Sequence, residues 1–176
     1  MPKAGFWAID PTRTISFGKD GWWYANGERI HNRRINTLFS QHLRKTAAGT
    51  YEIAIGWDKV TVEIDDAPYV VTRVTGDSDQ GLTLRLNDES EELLDPPTLY
   101  IGAENVLYCL VKGREHPARF SRPAYYQLVE YVEEDAETKA FQLRLGNTTY
   151  LIPAGGQGKV TSSQSSVVSS KGNTSN

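Results

Sequence analysis

The chain has 176 residues, a formal charge of −3 and one cysteine, a length that suits one ordinary domain or two small ones. The acidic balance excludes a general nucleic-acid binder, which would carry a basic face. The lone Cys109 excludes an intrachain disulfide and fits a reducing cytoplasm. No apolar run approaches the ~20 residues a membrane helix needs, and the start MPKAGFWAIDPTR lacks the apolar core of a signal peptide. Four Trp and nine Tyr are a heavy aromatic load, and such side chains dominate small cores and interfaces.

In chain order, residues 1–13 read as an irregular arm and residues 14–17 as a short strand. Residues 22–25 form a stronger strand. Asn26-Gly27 follows, the strongest short hairpin signal because both residues tolerate positive φ, and residues 28–30 return. Ile35, Leu38, Phe39 and Leu43 recur at helical spacing, which predicts a helix over residues 32–46 with Asn32 as its cap and Arg44 and Lys45 in its last turn. Tyr51, Ile53 and Ile55, then Val60, Val62 and Ile64, alternate with polar residues and predict a hairpin turning at Asp58-Lys59. An Asp65-Asp66-Ala67-Pro68 corner leads to a strand over residues 69–75, and Leu82, Leu84 and Leu86 mark another.

Residues 87–97 are acidic and Pro-containing and read as a linker between a first half, residues 1–86, and a second, residues 98–153. The second half continues with strands over residues 99–101 and 106–111, a turn at Lys112-Gly113 and a short strand to Phe120. A helix over residues 123–134 follows, with Ser121 as cap and Tyr125, Leu128, Val129 and Val132 as its stripe. A hairpin around Gly146-Asn147 closes it. Residues 154–176 are rich in Gly, Ser and Thr and are expected to be disordered.

A shift of ninety residues superposes the central blocks of the two halves without a gap. Ile35 falls on Tyr125, Leu38 on Leu128, Ile53 on Leu143, Gly56 on Gly146 and Arg29 on Arg119. The expectation is an α+β fold made of a duplicated unit, antiparallel strands packed on one helix. Its seam would be the natural place for a concave site.

Both predicted helix starts are basic, with Arg29, Arg33 and Arg34 at the first and Arg119 and Arg122 at the second. Cations gain nothing from a helix N-terminus, whereas free N–H groups with arginines would suit a phosphate or carboxylate. Adjacent Trp22 and Trp23 must face opposite ways on a strand, one into the core and the other toward the seam, the arm or solvent. The ligand-binding set read from the chain is Trp22, Arg33, Lys59, Asp66, Arg73, Arg119, Arg122 and Tyr125. No catalytic residue, metal or cofactor is assigned. His31, His42 and His116 lack ligand spacing, and no HExxH, CxxC, GxSxG, Rossmann or Gly-rich phosphate motif occurs. Cys109 sits in an apolar run and reads as core.

The order DGWWYANGERI, INTLFSQHL, GTYEIAIGWDKVTVEIDDAPYV resembles the bacterial family catalogued as domain of unknown function 1285. That family shows a DG-W start, a GxxI turn, an LFS helix, a GxYxLxTPxEK hairpin and a VEDAPF corner. The matching residues here are Asp20, Gly21, Trp22, Gly27, Ile30, Leu38, Phe39, Ser40, Gly49, Tyr51, Lys59, Asp65, Asp66, Ala67, Pro68 and Tyr69. The chain departs at Ile55, Gly56, Trp57 and Asp58, where the family has TPxE, and at Asn32, where it has Arg. The resemblance implies duplicated α+β halves, the second loosely pleckstrin-homology-like. It also implies a seam site for a nucleotide-like or other anionic small molecule, and a signalling role without established activity. The expectation is therefore a cytoplasmic, non-catalytic ligand-binding or signalling module, with no membrane partner and no named protein partner. The alternative is a protein-interaction scaffold, and behind it a metal-dependent hydrolase using the acidic corner.

Overall fold

A computed structural model describes residues 12–155. The arm up to residue 11 and the tail from residue 156 lie outside the described residues. The chain forms two units. The first runs to Tyr69 and takes in Asn87–Glu89; the second takes Val70–Leu86 and the chain from Ser90 onward. The boundary expected between residues 86 and 87 thus falls some seventeen residues earlier. The reason is strand pairing: the two strands that follow the Pro68 corner pair with later strands, not earlier ones.

The first unit is one six-stranded sheet with one helix. Its elements are β1 (Ile15–Phe17), β2 (Trp23–Ala25), β3 (Glu28–Arg29), α1 (Arg33–Gln41), β4 (Leu43–Lys45), β5 (Tyr51–Ile55) and β6 (Asp58–Ile64). The strand order is β3-β2-β1-β6-β5-β4. All its pairs are antiparallel except β1 with β6, which run parallel, so the purely antiparallel expectation fails at that one junction. Asn26 and Gly27 close the β2–β3 turn at φ 53° and 83°, the positive pair that a type I′ hairpin needs. The β5–β6 turn is Gly56-Trp57, not Asp58-Lys59: Ile55 pairs with Asp58, and Gly56 supplies φ 61° at the first turn position.

Trp23 is the centre of this core, with no exposed surface. Its ring lies 4.9 Å from Phe17 and meets Phe39 edge-on at 5.7 Å. Its indole N–H donates to Ser40 Oγ at 2.9 Å, and Asn87 Nδ2 donates to the same oxygen at 2.8 Å. Asn36 Oδ1 accepts the Trp23 backbone N–H at 2.7 Å and so fixes the helix against the strand.

The helix is shorter than its apolar spacing predicts. His42 N–H donates to Leu38 and Phe39 carbonyls, and His42 O then accepts from Ala54 N–H at 3.1 Å. Leu43 therefore lands opposite Ile53 as the first residue of an edge strand. Leu43 suits either register locally; only the strand places it on the sheet's buried face beside Ile53.

The second unit holds β7 (Tyr69–Asp77, from Val70 on), β8 (Gly81–Leu86), β9 (Glu91–Leu93), β10 (Tyr100–Ile101), β11 (Leu107–Val111), β12 (His116–Phe120), α2 (Arg122–Val129), β13 (Val132–Glu134), β14 (Phe141–Leu145) and β15 (Thr148–Ile152). It has two sheets, β10-β11-β12-β7-β8-β9 and β13-β14-β15. The expected linker thus contains strand β9 and a 3₁₀ turn over Pro96–Thr98. Val71, Val74, Leu82, Leu84, Leu86, Tyr100, Leu107, Cys109, Val111, Ala118 and Phe120 are among its buried side chains along the large sheet. Gly76 is required where β7 meets β8: at φ 114°, a Cβ there would stand 2.4 Å from the Gly81 carbonyl oxygen.

Helix α2 also ends early. Tyr131 N–H donates to Leu128 O, Tyr131 O accepts from Arg144 N–H, and Val132 pairs with Leu143. Its buried residues are Ala124 and Leu128; of the expected stripe Leu128 is buried, Val129 and Val132 are half-buried, and Tyr125 is 38% exposed. Gln127 Oε1 accepts the Val74 N–H at 2.7 Å and ties the helix to β7.

Candidate ligand-binding site

Each helix start spends its donors on its own cap. Asn32 Oδ1 accepts from Arg34 and Ile35 N–H at 2.9 and 3.2 Å. Ser121 Oγ accepts from Ala124 N–H at 3.3 Å, and Pro123 has no N–H to offer. The N–H groups that an anion would use are mostly consumed at both ends. Arg33 and Arg122 are exposed in first turns that contain no acid, so the guanidinium groups, not the helix ends, are what remains for an anion.

In the first unit Trp22 lies next to the hairpin turn-in, half-buried, and carries Arg29 stacked 4.9 Å from its ring centroid. Asp20 organises the rest. Its Oδ1 accepts the Trp22 N–H at 3.1 Å, its Oδ2 accepts the Tyr24 hydroxyl at 2.6 Å, and Arg29 Nη2 stands 3.7 Å away. The hydrogen bond to Asp20 raises the Tyr24 pKa, opposed in part by Arg29. Tyr24 and Arg29 are cross-strand partners. This cluster has satisfied most of its charges internally. Lys59 is exposed on the outward face of β6, with Thr61 and Glu63, and Asp66 is exposed at the corner.

In the second unit Arg73 is exposed on β7 at a register shift, opposite Arg85. Arg85 itself reaches Glu91 at 3.3 Å. Tyr125 meets Tyr126 edge-on at 5.5 Å on the exposed side of α2. Arg119 is half-buried on β12 and pairs across the strand with Tyr108, whose ring stacks on Tyr100 at 5.2 Å and 13°. Directly opposed side chains have Cβ atoms about 4.5–5.5 Å apart. Register places Tyr100, Tyr108 and Arg119 on one face of the sheet, with Leu110 and Pro117, while Leu107, Cys109, Val111, Ala118 and Phe120 fill the other. Gly102 makes room for the ladder: a Cβ there would meet Tyr108 Cε2 at 2.7 Å. Sequence reasoning named Arg119 but missed both tyrosines. The signal was the alternation Leu107, Cys109, Val111 against Tyr108 and Leu110, which sets a second face for β11.

Cys109 is fully buried, and burial pushes its thiol well above the ordinary range, which removes the thiolate that nucleophilic chemistry needs. Among the described residues no group of three or more His, Cys, Asp or Glu could hold a metal ion, and no helix is long and apolar enough to cross a membrane.

The likeness to solved structures is clear. A crystal structure of a DUF1285 family protein from Silicibacter pomeroyi DSS-3 superposes with a TM-score of 0.61 at 20% identity, over 78% of this chain and 78% of that one. The fold is that of DUF1285 family proteins. A second DUF1285 family protein, from Shewanella baltica OS155, gives a TM-score of 0.56 at 17% identity, over 69% of this chain and 94% of that one. No family model matches the sequence, and no curated protein matches it. The DUF1285 likeness is one of fold, and the chemistry of the site rests on this chain's own residues.

Proposed function

We propose that the protein is a non-catalytic module that binds a small anionic ligand bearing a ring, of the nucleoside-phosphate type, in a cytoplasmic signalling role. The observation that carries the reading is the ladder of the second unit: a half-buried arginine directly across from one of two stacked tyrosines. Arginine matches a phosphate or carboxylate with paired N–H donors, and the half-buried Tyr108 ring, backed by the buried Tyr100, offers flat apolar surface at small entropic cost. Arg122 and Arg73 add positive charge to the same unit. Duplication of an ancestral half belongs to this proposal, supported by hairpins β5–β6 and β14–β15, whose registers match at an offset of ninety residues. So does a pleckstrin-homology-like layout of the second half.

A thermal-shift panel tests it. Nucleoside monophosphates should raise the melting temperature, by about 2.7 kcal/mol of added stability at a hundredfold excess over Kd. Inorganic phosphate or a bare nucleoside should each do less. A panel in which no compound moves the melting temperature would overturn the reading.

A protein-interaction role is favoured by a different observation: Trp57, at the tip of the β5–β6 turn, is 98% exposed. On that reading Trp57→Ala would abolish capture of a specific partner while leaving the melting temperature unchanged.

A further inference from the structure

We infer that Asn26 is a site of spontaneous covalent modification, converted through a succinimide to aspartate and isoaspartate. Asn26-Gly27 is the only Asn-Gly pair in the chain. Both residues are exposed at the tip of the β2–β3 turn, and nothing lies within 4 Å of where a Gly27 Cβ would be, so the attacking side of the peptide is open.

The hydrogen bonds set the polarity of the reaction. Thr14 N–H donates to Asn26 Oδ1 at 3.0 Å, and Asn26 N–H donates to Thr14 O at 2.8 Å. The Oδ1 contact draws density from the amide carbon and stabilises the oxyanion that forms there. Among the described residues, neither Asn26 Nδ2 nor the Gly27 N–H has a hydrogen-bond partner. The leaving group and the nucleophile are the two groups the fold does not hold.

The Gly27 amide nitrogen loses its proton to solvent base and attacks Asn26 Cγ. A C–N bond forms, Nδ2 takes up a proton from solvent, the Cγ–Nδ2 bond breaks, and ammonia leaves. Water then opens the ring at either carbonyl. Opening at one yields an ordinary aspartyl residue in place of Asn26; opening at the other yields isoaspartate, with one extra carbon in the main chain. A two-residue type I′ turn has no space for that carbon. The isoaspartyl form therefore loses the Thr14 contacts and the β2–β3 register. An enzyme that methylates isoaspartyl carboxylates would then recognise the tip.

The test is incubation of the intact full chain at mildly alkaline pH, followed by digestion and mass spectrometry with fragmentation that separates aspartate from isoaspartate. A parallel incubation is run in denaturant. In the native sample the mass gain of amide to carboxyl should concentrate at Asn26, in both isomeric forms. Asn32, Asn87, Asn105 and Asn147 should stay unchanged. Thr14→Pro, which removes the donor to Oδ1, should slow the conversion in native protein and leave the denatured rate unaltered. Conversion confined to the denatured sample, or spread evenly over the asparagines, would overturn the inference. So would acceleration in Thr14→Pro, which would show that the Thr14 contact only restrains the side chain.

Discussion

Each unit places an arginine directly across from a tyrosine, and the two pairs stand in different surroundings. In the first, Arg29 faces Tyr24, Asp20 takes the tyrosine hydroxyl, and the guanidinium lies over Trp22. In the second, Arg119 faces Tyr108, and a second tyrosine stacks on the first. The two arginines are ninety residues apart and equivalent under the sequence shift. In the first group Asp20 takes the tyrosine hydroxyl, and in the second another tyrosine ring stacks on the tyrosine. The neighbouring strands and turns decide what surrounds each arginine.

The sheets differ in the same spirit. Parallel strand β1 joins the β2–β3 hairpin to the β5–β6 hairpin in one sheet of the first unit. In the second unit β12 neighbours β7 instead, and the last hairpin stands in its own three-stranded sheet.

The largest effect that would sharpen the contrast between core and surface aromatics concerns the adjacent tryptophans. Trp23→Ala should cost about 3–5 kcal/mol in denaturant unfolding. Trp22→Ala should cost no more than about 1 kcal/mol, the scale of an exposed cation–π contact. Equal losses would mean that Trp22 is core.

Ser40→Ala should rank next, at about 1–3 kcal/mol, because it leaves the buried Trp23 indole N–H and an Asn87 amide proton without their acceptor. The caps follow. Asn32→Ala should cost about 1 kcal/mol and Ser121→Ala about half that, since Asn32 holds two N–H groups and Ser121 one long contact. The reverse order, read from melting temperatures, would break the comparison of the two helix starts. The smallest expected effect is at Asp135, whose pKa is lowered by N–H bonds from Thr138 and Glu137. Its folded pKa lies below its unfolded one, so its contribution is present above the ordinary aspartate pKa and fades as pH falls through the lowered value. An Asp135→Asn variant should therefore be slightly less stable than wild type near neutrality, with the gap closing as pH falls through the lowered value.

Much of this was legible in the residues. Asn26-Gly27 announced its hairpin, strict alternation announced β5 and β6, and the adjacent tryptophans announced opposite faces. The helix ends were not legible, because Leu43 and Val132 satisfy the helical stripe as well as the strand that replaces it. The choice is made by Ile53 and Leu143 across the sheet, which no local pattern contains. The ungapped shift also hid a slip. Helix caps and starts match at eighty-nine residues, Asn32 with Ser121 and Arg33 with Arg122, while the hairpins match at ninety. The loop before β14, residues 135–140, is one residue longer than the loop before β5, residues 46–50. The Tyr100–Tyr108 stack was invisible for a similar reason, since it depends on a hairpin register set by Gly102 and a turn with Glu104 and Asn105 at positive φ.

The claim that the two arginines differ in purpose is tested most directly by calorimetric titration of a nucleoside monophosphate into the wild type, Arg29→Gln and Arg119→Gln. The account predicts that binding survives in Arg29→Gln and is lost in Arg119→Gln. Undiminished binding by Arg119→Gln, or its loss in Arg29→Gln alone, would contradict it.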